Sequence, residues 1–542
     1  MIIGNKNTSW KFFSWFFAFA LMLPVVVMLL GSLNAASDLF SHLWATVLPE
    51  YISNTLVLGG LVALLSLCFG VPAAAIISQT NIVMGKQLRW LLMLPLAMPA
   101  YLVAYLYTDL FDYAGPVQRS LRAWFDWQSP NDYYFFDIRT MGGAAIVIAL
   151  VLFPYVYMLT RTAFEQQDRN LLRASRLLGC SERQSFYQIA LPLARPAIAV
   201  SLALVIMETL ADFATVQYFA VNTLTTAIYD TWLGYSDFAA ANALASVLML
   251  FILFVVVAEQ RARAGQRHQS SRPNTQQQRK KLSFTQQVTA SLFCWFLVFA
   301  GFLLPVVLLL VMAFDYADQQ QFLALIETGK NSIEIATYSA TIATLIALIL
   351  TLFQRLHQSR GRMLPLQISG FGYAIPGTVL AMAMLATFGP IDHGINDLAK
   401  MLGFTAPGLI LSGTVFAIVF AFVVRFSAIA NGTLSAGLGQ IPRSLDLAPA
   451  SLGVKTLPAL LRVHLPLLKS SILVAWLLVF VEAMKELPAV LLLRPFNFET
   501  LSTQIYQLIS DERLEQGALG AILIVLFGLL PIILLNRQKD NP

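Results

Sequence analysis

The chain has 542 residues, of which 58% are hydrophobic and only 12% charged. About 25% charged is ordinary for a soluble domain, so the composition excludes one and points to an integral membrane protein. The formal net charge of +6 does not signal nucleic acid, because the basic residues gather in short loops and one central linker, as in the cytoplasmic loops of a membrane protein.

Lys6 and Lys11 precede an apolar run from Phe12 to Leu33. A signal peptide has an apolar core of about 7–15 residues, so this longer run is expected to remain as the first span. With about 20 apolar residues needed per crossing, the chain reads as about twelve spans. Six lie near 12–33, 55–79, 90–111, 142–163, 197–220 and 239–260. Six more lie near 287–313, 333–354, 364–388, 407–429, 470–493 and 517–535. The predicted fold class is therefore an all-α polytopic membrane protein of two six-helix halves, 1–260 and 285–542, joined by a basic linker over 261–284.

Lysine and arginine orient the spans. Lys86 and Arg89 follow the second, Arg161, Arg169, Arg173, Arg176 and Arg183 follow the fourth, and Arg261, Arg263, Arg267, Arg272, Arg279, Lys280 and Lys281 fill the linker. These loops are expected inside. Val221 to Phe238 carries Asp230 and Asp237 but no lysine or arginine and is expected outside. Both termini are then cytoplasmic. Cys68, Cys180 and Cys294 suggest no disulfide framework, and five scattered histidines suggest no metal cluster.

One polar interruption occurs twice. Arg173-Ala174-Ser175-Arg176-Leu177-Leu178-Gly179, then nine residues, then Ile189-Ala190-Leu191-Pro192, lies in the loop over 169–192. Leu447-Ala448-Pro449-Ala450-Ser451-Leu452-Gly453, nine residues, then Val463-His464-Leu465-Pro466, lies in the loop over 443–466, displaced by 274 residues. Leu171, Ala174, Ser175 and Leu178 recur at helical spacing and predict a short helix with a small apolar face; Leu445, Ala448 and Leu452 hold the same places in the second copy. Gly179 is expected to end that helix in a left-handed cap, Ser181 with Gln184 to restart it as a capping box, and Pro192 and Pro196 to stop it again before the next span. So small a helix cannot bury its apolar face alone, which predicts a partner protein.

The duplication runs beyond the loops. Asn54-Thr55 echoes Asn331-Ser332, and Pro99 echoes Pro376, each displaced by 277; Gly115-Pro116-Val117 echoes Gly389-Pro390-Ile391, and Glu208 echoes Glu482, each displaced by 274. Parallel repeats of this kind place a transport path on the axis between them.

The doubled loop resembles the Glu-Ala-Ala loop of permease subunits of binding-protein-dependent ABC importers, in which such a segment docks on an ATPase. Here Arg173 and Leu447 replace the family's glutamate, and Pro449 replaces the second alanine. Pro95-Leu96-Ala97-Met98-Pro99-Ala100-Tyr101, Ala114-Gly115-Pro116-Val117-Gln118, Met207-Glu208-Thr209-Leu210-Ala211-Asp212-Phe213 and Lys485-Glu486-Leu487-Pro488-Ala489-Val490-Leu491-Leu492-Leu493-Arg494-Pro495 are similar to segments of the fused permeases of ferric-iron importers. The resemblance implies a type I ABC importer permease fold in a bacterial inner membrane. It implies two copies of a cytoplasmic ATPase, which would use the ATP and magnesium, and a periplasmic binding protein that delivers ferric iron. The docking residues it implies are Leu171, Ala174, Leu178, Gly179, Leu191 and Pro192, and Leu445, Ala448, Leu452, Gly453, Leu465 and Pro466. Thiamine, sulfate, polyamine and phosphonate permeases share much of this architecture.

No catalytic constellation and no cofactor site is legible. Gly453-Val454-Lys455-Thr456 lacks the glycine cradle of a phosphate loop, so the chain is not expected to hydrolyse ATP. Pro116 to Phe125 places Val117, Leu121 and Trp124 on one face and Arg119 and Arg122 on another. It reads as a helix at the membrane surface, where it and the following Tyr/Asp-rich stretch either meet a binding protein or form an aromatic belt. Glu208 and Asp212, one turn apart, and Glu482 and Glu486, with Lys485 beside them, fall at mid-membrane depth. A charge there costs roughly 2.5–3.5 kcal/mol. These carboxylates either line a cation path or brace neighbouring helices, Glu482 pairing with Lys485. A twelve-span carrier driven by an ion gradient would account for the spans and carboxylates, but not for the doubled loop.

Overall fold

The structure, a computed structural model, describes residues 8–33, 38–167, 169–264, 280–316, 319–356, 361–442, 444–451, 454 and 456–540. Among them, eleven helices are long and apolar enough to cross a membrane, or up to twelve when one bent pair counts as a span. The chain is all-α, apart from a two-residue bridge in which Thr80-Asn81 runs parallel to Lys280-Lys281.

The bent pair is the third span. The sequence predicts a span near 90–111, and in the structure Gly85–Ala97 and Ala100–Phe125 meet there at 91°. The cause is local. Leu94–Ala97 tightens into a 3-10 turn, and Met98 takes φ −91°, ψ 125°, as a residue ahead of proline must. Pro99, with no N–H to continue the ladder, then caps the helix that follows. The second half repeats this at Phe371–Ala374, Ile375 (φ −83°, ψ 122°) and Pro376, ahead of the helix Gly377–Met401. The echo of Pro99 in Pro376 is thus a duplicated break.

The fifth and eleventh spans also depart from expectation. The sequence predicts single spans near 197–220 and 470–493, yet the helices end at Ala211 and Lys485. Conversely, Pro192 and Pro196 do not stop a helix. Phe186–Ala190 opens into a π turn, Leu191 N–H donating to Phe186 O, and Pro192 enters within the first turn of Leu191–Ala211, so that Glu182–Ala211 forms one span. A π turn re-registers the ladder just where a proline cannot donate. Leu460–His464 and Pro466 repeat the device.

Space divides the chain differently from the duplication. One compact unit gathers Met1–Thr46, Ala227–Met249 and Asp318–Gln507; the other gathers Val47–Thr226, Leu250–Ala317 and Leu508–Pro542. Within the first unit, the helix Thr8–Leu33 is tied in by Trp10 Nε1, which donates to Ile349 O at 3.2 Å, and by Asn242 Nδ2, which donates to Met28 O at 3.1 Å. Within the second, the buried Tyr107 hydroxyl donates to Ala300 O. Each half of the duplicated sequence therefore lends its first span to the unit built mainly from the other half.

The surface helix Pro116–Phe125 ends at Asp126 in a left-handed cap. Its most buried residue is Gln118, which donates to Phe111 O at 2.8 Å and accepts from the Tyr133 hydroxyl at 2.6 Å. Trp124 faces out, 81% exposed, whereas Trp127 stacks on Tyr133 at 4.6 Å.

Candidate functional site

The first repeated loop is a helix, Arg169–Leu177, closed by a glycine. Gly179 adopts φ +90°, Cys180 N–H donates to Ser175 O, and Gly179 N–H donates to Arg176 O, each at 3.0 Å. This pair of bonds is the Schellman closure, for which glycine carries no Cβ penalty. Ser181 and Gln184 then form a reciprocal capping box that starts the next helix. The exposed apolar surface comprises Leu171 (47%), Leu177 (89%) and Leu178 (85%); Ala174 is exposed beside them. Ser175, placed on the apolar face by its spacing, points the other way. It is buried, its hydroxyl 2.7 Å from that of Ser185, because the cap turns Leu178 outward and leaves Ser175 on the anchored side. Leu191 and Pro192 are half-buried, and Gln167 Nε2 donates to Ala190 O at 2.7 Å.

The second loop repeats one bond of this closure. Val454 N–H donates to Pro449 O at 2.9 Å, the counterpart of Cys180 to Ser175. Pro449 sits inside the helix Ser444–Ser451, which also carries Ala448. Only its carbonyl is needed for the closing bond, so proline in place of the family's alanine leaves that turn intact. Leu445 is exposed, Leu465 half-buried and Pro466 exposed; Leu452 and Gly453 lie outside the described residues. The loop is anchored by groups the sequence did not single out. Asp446 accepts from Arg355 Nε at 2.9 and 3.1 Å and from His464 Nε2 at 2.8 Å.

The intramembrane carboxylates sit at the two helix breaks. Asp212 does not follow Glu208 around one helical face as its spacing implied, because Asp212 caps the helix end (φ −70°, ψ 128°); Glu486 does the same after Glu482 (φ −67°, ψ 124°). Each restarts a short helix. Asp212 Oδ1 accepts from Thr215 N–H at 2.9 Å, and Glu486 Oε1 accepts from Ala489 N–H at 3.3 Å. The two differ in charge balance. Glu486 is paired in a buried site with Arg425 Nη1 at 3.0 Å, whereas among the described residues Asp212 has no ion-pair partner. Val151 stands where a displacement of 274 would put the arginine. Gly377 fits against that pair because a Cβ there would strike the Glu486 carboxylate and lie 3.0 Å from Arg425 Nη1. Lys485 Nζ lies 3.4 Å from Glu482 Oε1. Among the described residues, no group of three or more His, Cys, Asp or Glu could hold a metal ion.

Behind each break, one hydrogen-bond net is built twice. Thr225 and Ser502 hydroxyls donate to Asp212 O and Glu486 O, both at 2.8 Å. Leu224 and Leu501 N–H donate to Thr55 and Ser332 hydroxyls at 3.0 and 2.7 Å. Asn54 and Asn331 amides donate to Asn222 O and Glu499 O, both at 3.0 Å. The echo Asn54-Thr55/Asn331-Ser332 is therefore a pair of anchors for the broken segments. Changing Asn331 to alanine leaves the Glu499 carbonyl without this donor and is expected to cost about 1 kcal/mol. A lowered melting temperature of the detergent-solubilised protein would show it, and Asn54→Ala should match it.

The family model described as binding-protein-dependent transport system inner membrane component matches residues 66–264. The chain is 24% identical over 495 residues to the Fe(3+)-transport system permease protein FbpB 2 of Haemophilus influenzae, covering 90% of each. It is 27% identical over 499 residues to the ferric transport system permease protein FbpB of Actinobacillus pleuropneumoniae, covering 88% of this chain and 69% of that one. It is 30% identical over 176 residues to the molybdenum transport system permease protein ModB of Escherichia coli, covering 32% of this chain and 73% of that one.

Proposed function

Because the chain belongs to the family of inner-membrane components of binding-protein-dependent transport systems, we propose that it is the membrane subunit of an importer for ferric iron, driven by an ATPase it does not contain. The observation that carries this reading is the doubled loop, which makes the same closing bond, Cys180 to Ser175 and Val454 to Pro449, at two equivalent places. Two equivalent sockets suit two copies of one ATPase. The exposed Leu171, Leu177 and Leu178 suit an apolar groove, as an amphipathic helix docking in a partner requires. The basic loops support a cytoplasmic position for both sockets and both termini in a bacterial inner membrane.

The chain's part is mechanical. Closure of the ATPases would move both sockets, and the helices rooted in them would switch between outward-open and inward-open arrangements. ATP and magnesium belong to the ATPase, and a periplasmic binding protein delivers the ion. Iron as cargo is supported by relatives that run along nearly the whole chain and are named for ferric transport, while the molybdenum relative aligns with 32% of it. Carboxylate oxygens are the ligands a hard cation prefers. Of the four intramembrane carboxylates, Glu486 is neutralised by Arg425 and Glu482 lies near Lys485. The path is therefore assigned to Asp212, which among the described residues has no ion-pair partner.

The test is uptake into proteoliposomes holding the chain, its ATPase and its binding protein. ATP-dependent accumulation of radiolabelled ferric ion is expected, with none of molybdate, thiamine or sulfate. Asp212→Asn should slow iron uptake with little change in inserted protein. Import of another of these solutes would overturn the cargo, and gradient-driven uptake by the chain alone would overturn the importer reading in favour of a carrier.

A further inference from the structure

The two loops share a closing bond but not a mount. In the second, the Arg355 guanidinium binds both carboxylate oxygens of Asp446 at 2.9 and 3.1 Å and also donates to the carbonyls of Leu438 and Ile441, the latter at 2.9 Å. His464 Nε2 donates to the same carboxylate at 2.8 Å. The three side chains are 13%, 16% and 2% exposed. They come from the helix Gln319–Leu356, the loop helix Ser444–Ser451 and the π turn Leu460–His464. Beside it is a buried apolar cluster, Leu352 and Leu356 of Gln319–Leu356, Leu438 of Val415–Gln440, Leu460 of the π turn and Leu468 of Leu465–Lys485. A planar guanidinium held at both a carboxylate and two carbonyls is fixed in orientation as well as in place.

The first loop has no such clamp at the equivalent positions, which are Ser78, Leu172 and Ala190. Ser78 bonds within its own helix, to Ala74 O at 2.6 Å, and Ala190 offers only its carbonyl, to Gln167. Among the described residues, neutral bonds through Ser175 and Gln167 and one exposed ion pair, Arg176 with Glu182 at 3.7 Å, hold this loop; an exposed pair adds little, whereas a charge-assisted bond is roughly twice as strong as a neutral one.

We propose that Asp446, Arg355 and His464 are positioning residues that make the second loop the stiff lever of the pair, passing the motion of its ATPase directly to the helices Gln319–Leu356 and Leu465–Lys485, while the first loop yields. The inference rests on the importer reading above and adds that the two ATPase contacts are functionally unequal. A clamp of this kind acts on coupling more than on docking, because its three side chains are largely buried and offer a partner little surface.

The experiment counts ATP hydrolysed per ion imported in proteoliposomes made from complexes purified through a tag on the ATPase, so that only assembled complexes are read. Arg355→Lys keeps the charge but loses the fork; the double variant Arg355→Gln/Asp446→Asn removes both charges together and leaves neither buried alone. Both are expected to raise ATP consumed per ion by roughly fivefold or more, with ATPase retention unchanged, and Ser175→Ala/Ser185→Ala in the first loop is expected to raise it less. Asp446→Glu should restore most of the coupling lost in the neutral pair. An unchanged ratio in assembled Arg355→Lys complexes, or an equal rise from the serine pair, would overturn the inference alone. Absence of ATP-driven uptake by the unmodified complex would overturn the importer reading and the inference with it.

Discussion

Replacing Gly179 with valine is expected to reduce ATP-driven uptake roughly fivefold or more, with the inserted amount of the chain unchanged. Nothing lies within 4 Å of where a Cβ would stand, so there is no clash to relieve. The cost is in the backbone, since φ +90° is left-handed and a residue with a Cβ loses roughly 1–2 kcal/mol there. A β-branched residue would open the turn, release the Cys180 to Ser175 bond and swing Leu177 and Leu178 away from their partner surface. Asparagine tolerates left-handed geometry better, so Gly179→Asn should keep much of the activity that valine removes. Bulk alone would not separate the two, whereas the dihedral does. Combining Gly179→Val with the same change at Gly453 should abolish uptake while both ATPase and chain remain; full transport in that double variant would reject the loops as coupling elements.

Replacing Arg425 with methionine is expected to destabilise the protein by about 3–5 kcal/mol, the usual result of leaving one partner of a buried ion pair alone. Glu486 would then face the helix break uncompensated, with Gly377 and Ala489 N–H against it. Removing both charges, as Arg425→Met/Glu486→Leu, should recover most of the loss, since an apolar pair of similar volume often replaces a buried ion pair at little cost. Thermal unfolding in detergent reads both. If the double variant is as damaged as the single one, Glu486 has a role beyond this pair, and its exclusion from the ion path is wrong.

What could be read from the sequence was whatever depends on local pattern. Apolar run length gave the spans, and two glycines 274 residues apart gave the duplicated loop. Ser181 and Gln184 gave a capping box that is present. Breaks inside apolar runs were not legible, because hydropathy stays high through Met98-Pro99 and through Ala211-Asp212 while the backbone leaves the helix. Proline was an unreliable guide in both directions: Pro99 breaks a span, and Pro192 is absorbed by a π turn. The anchoring side chains were hidden for another reason. Arg355 and Asp446 are 91 residues apart and Arg425 and Glu486 are 61 apart, so no periodicity joins them. His464 was visible inside Val463-His464-Leu465-Pro466, but its neighbour was not. The exchange of first spans between compact units is likewise invisible to a repeat analysis, since the repeat follows the chain and packing does not.

The direct test of the account is the side from which the loops can be reached. In a chain with Cys68, Cys180 and Cys294 replaced by alanine, Leu178→Cys should react with a membrane-impermeant maleimide in inside-out vesicles, and not in right-side-out ones. Addition of the ATPase should protect it. Labelling from the outer side, or labelling that the ATPase leaves untouched, would contradict the claim that this helix is where the motor grips the membrane subunit.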